Sequence, residues 1–475
     1  MPQPESPAAP EVPGAAPAAS APTAEPLAGG LRQRHLTMLG LGGVIGAGLF
    51  VGSGEGIAMA GPGITVSYLI AGVLAMLVMR MLGEMSAAMP ASGAFSVHAE
   101  RALGRWAGFS VGWLYWFMLV VVLAVEATGA AQIAHGWLPG VPQWGWVLLF
   151  MLFFTGTNLA AVKNFGEFEF WFATLKVTAI VVFLVLCVLA IFGVLPDTDP
   201  VGLSNLTGQG GFLPRGWSGV VSGVLAVVFA FGGLEVVTIA AAESDDPARS
   251  VARAVRSAVW RILLFYVGSM LVIVALLPWT RIVPGHSPYV AVLDTIGVPG
   301  AAQIMNVVVF VALLSALNAN LYGSSRMVFS LAERGEAPRA LLRTSRGGVP
   351  RPAVLASVAF GFVSVLLNLE WPDTVFGYLL KAVGAVLLFV WALIAVSQLR
   401  LRRRLEAEAP EKLVLKVWAF PALTWATLAV MAAVLVLMLL DDAARPQVLW
   451  SAGATALILV VAGVREVLSR RTARG

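Results

Sequence analysis

Charge is scarce in this chain: of 475 residues only 12% are Asp, Glu, Lys or Arg, whereas 59% are hydrophobic and the mean hydropathy is +0.85. A water-soluble domain of that composition could not cover its surface with polar groups. Cysteine is scarcer still. The single Cys187 supports neither a disulfide framework nor a metal site and reads as core packing. The four histidines (His35, His98, His135 and His286) are scattered, and no HExxH or GxSxG occurs. A membrane hydrolase is therefore not indicated, and neither a metal nor an organic cofactor is expected. The N-terminus lacks the basic start and apolar core of a signal peptide, so the first apolar block is expected to serve as the insertion signal. Eight of the first 26 residues are proline, and residues 1–30 read as a disordered Pro/Ala-rich cytoplasmic tail. No loop is long enough to hold a soluble domain.

Apolar sequence, by contrast, is abundant and comes in blocks of membrane-crossing length, roughly 20 helical residues. Twelve such blocks lie near 36–57, 64–88, 108–134, 144–162, 167–194, 217–242, 260–278, 302–330, 352–369, 374–397, 416–440 and 448–466. In lipid these must be helices, because a backbone there has to satisfy its hydrogen bonds within its own segment. With a cytoplasmic N-terminus and alternating blocks, the basic clusters Arg249, Arg253, Arg256 and Arg261, and Arg400, Arg402, Arg403 and Arg404, fall inside the cell. Only Arg215, Arg281 and Arg445 fall outside, and Lys176 and Lys381 lie within blocks. This asymmetry follows the positive-inside rule and accounts for the net charge of +5 without nucleic acid. The expected location is the cell (plasma or inner) membrane, with lipid as neighbour and both termini cytoplasmic.

Glycine interrupts two of these blocks. Gly42 to Gly54, GGVIGAGLFVGSG, holds six glycines in block one, and block six contains FAFGGLE, Phe229 to Glu235. Small-residue helix packing would explain one such segment. A dinucleotide loop would not, since G-x-x-G-x-G reverses the fingerprint and no strand precedes it. Blocks one and six occupy corresponding places if the first ten form two five-helix halves, and paired interruptions of this kind point to a transporter built on inverted repeats. Gly46 and Gly232 each lie about ten residues from the cytoplasmic end of their blocks, so at ~1.5 Å per residue both are near mid-membrane. There, unwound backbone offers amides to a carboxylate and carbonyls to an ammonium. A channel would instead need rings of filter groups.

The segments GGVIGAGLFVGSG, Arg80 to Trp116 and NFGEFEFWFATLKVTAI (Asn164 to Ile180) resemble the amino-acid permeases of the amino acid–polyamine–organocation superfamily, from Leu31 to Arg404. Within that superfamily the chain looks most like the γ-aminobutyrate (GABA) permeases, through the EATGA around Glu126, VKNFGEFEFWFA, FGGLEVVTIAAAESDDP and LNANLYGSSRMVFSLAERGEAP. The resemblance implies an all-α polytopic protein of 12 transmembrane helices, a 5+5 inverted-repeat fold with helices 1 and 6 broken. Residues 31–404 would form the transport core and 405–475 two peripheral helices with a cytoplasmic tail. It also implies proton-coupled import of an amino acid, GABA and related ω-amino acids in this case, with protons as the coupling ion. A carrier of neutral, aromatic or other α-amino acids is the alternative, and a transporter-like sensor a remote one. Many relatives have Asn where Leu114 stands and Thr or Ser where Ala47 stands.

By that resemblance the substrate carboxylate meets backbone at Ile45, Gly46, Ala47 and Gly48. The ammonium meets carbonyls at Phe229, Ala230 and Phe231, and a ring from this stretch closes over the ligand. Lys176, level with Gly46, stands where sodium-coupled relatives hold a cation between helices one, five and eight. A lysine so deep is expensive and points to function, and removal from water disfavours its charged form. It would shed its proton during the cycle. Glu235 follows the second interruption and is linked to gating, while Glu243 is expected to cap or pair with the arginines of the next loop. Glu126 and Lys381, each roughly eight residues from the outer end of its block, lie at a similar depth that allows a buried ion pair, and contact of Lys381 with the substrate is the alternative. GABA permeases usually show Asn near the position of Lys381.

Overall fold

The computed structural model describes residues 45–89, 94–160, 165–195, 202–234, 247–345, 348–442 and 445–472, and among them there are helices and turns but no strand. In chain order the helices are α1 (Ala47–Phe50), α2 (Gly52–Ala60), α3 (Ile64–Ala88), α4 (Ala94–Leu103), α5 (Arg105–Trp137), α6 (Gln143–Leu159), α7 (Phe165–Ile191) and α8 (Gly216–Val228). They continue with α9 (Pro247–Arg261), α10 (Gly268–Leu276), α11 (Pro288–Thr295), α12 (Ala301–Glu333), α13 (Arg351–Glu370), α14 (Val375–Glu408), α15 (Ala422–Leu440) and α16 (Arg445–Thr472). A 3₁₀ turn, Phe229–Phe231, extends α8, and a π turn, Ile262–Val267, joins α9 to α10. The expected tail 1–30 and the carboxylates Glu235 and Glu243 lie outside the described residues.

Nine helical stretches among the described residues are long and apolar enough to cross a membrane, and Gly216–Phe231 is a shorter apolar helix. The first of the nine, Ala47–Ala88, contains the turn Gly61–Gly63 between α2 and α3. This is a multi-pass helical membrane protein. Its apolar residues show which helices face lipid. On α7, Phe168 and Trp171 are 61% and 66% exposed, and on α16 Trp450 is 80% exposed. With no aqueous phase to hide from, such side chains turn outward, and the bundle is held by close packing of the helices behind them.

α5 behaves in the opposite way. It is apolar on every side and buried along most of its 33 residues, so it runs through the middle of the bundle. It packs against α4, α12 and α14. At ~1.5 Å per residue it is roughly 50 Å long against a hydrocarbon core of ~30 Å, which obliges it to tilt or to project. α2 lies against α8, and α8 against α3. These two groupings, α2 with α8 and α5 with α12, bring the two glycine-interrupted stretches to the centre of the molecule.

Candidate functional site

At Gly46 the chain is extended (φ −144°, ψ −147°), and the helix restarts only at Ala47. After four residues it kinks at Val51 (φ −119°, ψ −47°) before α2 begins. The second interruption starts where the 3₁₀ turn ends at Gly232 (φ −62°, ψ 139°), and Gly233 follows with φ +96°, a conformation open to glycine at little cost. The two interruptions touch. A methyl group on Gly48 would sit 2.7 Å from the Ala230 α-carbon and 2.9 Å from a ring carbon of Phe229, so the sequence needs glycine for this approach.

α5 adds a carboxylate to the junction. Both oxygens of Glu126 accept the Ala47 N–H, at 3.1 Å and 3.1 Å, and the residue is buried. It also packs on the bare face of Gly46, whose other neighbour is Ala316 of α12. Beside these groups lies a cavity of about 40 Å³, bordered by Gly48, Met118, Glu126, Phe229, Ala230 and Asn320 among others. That is room for a few waters and not for an amino acid. Phe229 borders the cavity, whereas the Phe231 ring turns away, stacking on Tyr266 (centroids 5.0 Å apart) and contacting Tyr68 (5.9 Å). Ile45 is buried at the start of the described chain.

Lys176 of α7 is 1% exposed, and the two carboxylates whose charges act on it are Glu169 and Glu126. Glu169, on the same helix, is equally buried and accepts a hydrogen bond from the Ser315 hydroxyl of α12 at 2.9 Å. The structure thus brings Gly48, Glu126, Phe229 and Ala230 to one small cavity, with Gly46, Ala47 and Lys176 joined to it through Glu126, whereas the Phe231 side chain packs elsewhere. Lys381 stands apart, and the Glu126–Lys381 pair is absent. The carboxylate facing Lys381 is Glu55 of α2, and Glu126 is taken by the Ala47 amide. Counting residues from block ends put Glu126 and Lys381 at one depth, but the long α5 carries Glu126 to the level of the first interruption. Sequence reasoning passed over Glu169 and Glu55. The signal for Glu169 was its place seven residues before Lys176, two helical turns and so the same face.

The sequence profile named Amino acid permease matches residues 35–469. The chain belongs to the amino acid permease family. The permease is 50% identical over 430 residues to a gamma-aminobutyric acid permease of Bacillus subtilis, covering 90% of this chain and 92% of that protein. It is 51% identical over 428 residues to the aromatic amino acid transport protein AroP of Corynebacterium glutamicum, covering 89% and 92%. A probable GABA permease of Pseudomonas aeruginosa is 48% identical over 447 residues, covering 94% and 93%. In fold the permease is similar to a variant of the Eremococcus coleocola manganese transporter, with a TM-score of 0.54 at 16% identity over 90% of this chain and 92% of that one.

Proposed function

We propose that this permease is a proton-coupled importer of GABA and related ω-amino acids in the cell membrane. It crosses the membrane twelve times with both termini cytoplasmic, its first ten helices forming two inverted five-helix repeats. The observation that carries the reading is the junction of the two interrupted stretches, with backbone of both at one buried cavity and Glu126 on the Ala47 amide. A carboxylate already seated there marks that amide as an anion acceptor, and an incoming substrate carboxylate takes the same place when Glu126 leaves. The ammonium goes to carbonyls of the Phe229–Phe231 turn, and Phe229 is the ring placed to close over it. Three methylenes separate the poles of GABA. The small side chain of Ala47 leaves room for that longer unbranched ligand, and this favours it over an aromatic amino acid.

The relatives leave the substrate open between two readings, since GABA permeases and an AroP protein are about equally similar to this chain. Competition for labelled GABA uptake into proteoliposomes decides between them. GABA and β-alanine should compete well, and leucine and phenylalanine poorly. Transport of phenylalanine without GABA would make this an aromatic carrier, and absence of all uptake would leave a sensor. Lys176→Arg in the same vesicles should lose accumulation driven by a pH gradient, because a guanidinium does not give up its proton.

A further inference from the structure

The carboxyl of Glu169 is bonded on one side only. Its Oε1 accepts the Ser315 hydroxyl at 2.9 Å, while Oε2 is buried without any hydrogen-bond partner. A carboxylate kept only to tie α7 to α12 would satisfy both oxygens, because an unpartnered buried acceptor carries the full desolvation cost. A carboxylate that periodically takes a proton needs one oxygen free. Among the described residues the one charge acting on Glu169 is that of Lys176. α12 contributes the neutral Ser315, and α10 and α11, which also pack on α7, contribute no charge to it. Ser315 adjoins Ala316, which packs against Gly46, so Glu169 is fixed to the helix that borders the first interruption.

We infer that Glu169 receives the proton released by Lys176 and delivers it to the cytoplasm, the inner step of the coupling path. The inference rests on the reading of the chain as a proton-driven importer. In that topology α7 starts at the cytoplasmic face, so Glu169, four residues inside Phe165, lies between Lys176 and the cell interior. Two helical turns, roughly 10 Å between α-carbons, separate the pair, and the lysine stem leans toward the helix N-terminus. A proton crosses such a separation directly or through one water. In the step an N–H bond of the Lys176 ammonium breaks and an O–H bond forms at Glu169 Oε2, giving a neutral amine and a neutral carboxylic acid. The O–H bond then breaks toward cytoplasmic water, leaving carboxylate and amine. The amine regains a proton from the outer side on the next cycle. Ser315 keeps its bond to Oε1 throughout and holds the acid in place.

The test compares two activities of the full chain in proteoliposomes, using GABA or whichever amino acid the wild type carries. One is accumulation driven by a pH gradient. The other is exchange between equal internal and external pools at one pH, which never requires the proton to leave. Glu169→Gln keeps the shape and the Ser315 bond but cannot take up a proton. It should lose accumulation on the order of a hundredfold while exchange stays within about twofold of wild type, and Glu169→Asp should restore part of the accumulation. Wild-type accumulation by Glu169→Gln, or an equal loss of both activities, overturns the inference, the second result assigning Glu169 a structural role. Wild-type protein that exchanges but ignores the pH gradient overturns the proton coupling itself, a failure distinct from one at Glu169.

Discussion

The contact between Gly48 and Ala230 is backbone against backbone, so no change of rotamer can relieve a methyl group placed there. Gly52, four residues on, faces the ends of the Leu380 side chain at 3.2 Å, and leucine can give way. Gly48→Ala should therefore force the two interrupted stretches apart, costing roughly 1–3 kcal/mol of stability. Gly52→Ala should cost less than about 1 kcal/mol, since the end of the Leu380 side chain shifts and alanine favours the helix more than glycine does. Thermal unfolding in detergent reads the first effect, and substrate affinity reads the displacement of the site. A Gly48→Ala protein with wild-type affinity would show that the apposition is not needed for binding. At this scale the glycines were legible because the freedom of glycine is a local property that sequence displays directly. The partner of Glu126 was not. It depends on how the 33-residue α5 is placed against the first interruption, which no single block encodes, and Glu126 meets the Ala47 amide instead of Lys381.

Among the described residues the most elaborate polar tie between helices joins α3, α14 and the start of α15. Glu84 of α3 accepts from Arg402 Nη1 of α14 at 2.7 Å, from Gln398 Nε2 at 2.9 Å and from the Val417 N–H ahead of α15. Gln398 is in turn fixed by the Thr424 hydroxyl of α15 at 3.0 Å. Both charged side chains are nearly closed to solvent, at 1% for Glu84 and 7% for Arg402. Removing one member of such a pair strands the other, so Glu84→Ala should destabilise by about 3–5 kcal/mol. Two residues further along α14, Arg404 pairs with Glu408, and the two are 65% and 61% exposed, so Arg404→Ala should cost at most about 1 kcal/mol. Equal effects on unfolding would mean that the buried cluster is not a clamp. The apolar blocks that became α3, α5, α12 and α14 were plain from hydropathy alone. The short α4 and α11 were not, because 10 and 8 residues between blocks carry too little periodicity to separate a helix from a loop. LRLRRRL, taken as a topology signal, also holds Arg402, whose inward role depends on a carboxylate more than 300 residues earlier.

For the molecule as a whole, the proposed inverted repeat requires that the two interrupted stretches enter the membrane from defined sides, and the charge asymmetry of the loops predicts which sides these are. Among the described residues nine stretches are long enough to cross by themselves, and α6 and Gly216–Phe231 are shorter, so length alone does not fix the number of crossings. Sidedness does. The chain has one cysteine, Cys187, fully buried, so Cys187→Ala supplies a background without thiols. Gly140 and Gln209 are exposed in the loops after α5 and α7, and Arg339 and Glu408 are exposed after α12 and at the end of α14. With twelve crossings and a cytoplasmic N-terminus, the first two face outward and the last two inward. Single cysteines at Gly140 and Gln209 should react with a membrane-impermeant maleimide on intact cells, and those at Arg339 and Glu408 only after permeabilisation. Because Gly140 and Gln209 flank α6 and α7, their labelling from outside is the outcome expected when this pair crosses inward and back out. Labelling of Arg339→Cys on intact cells would instead place an even number of crossings between Gln209 and Arg339, where the twelve-crossing topology has three. That would remove the pairing of blocks one and six on which the inverted repeat depends.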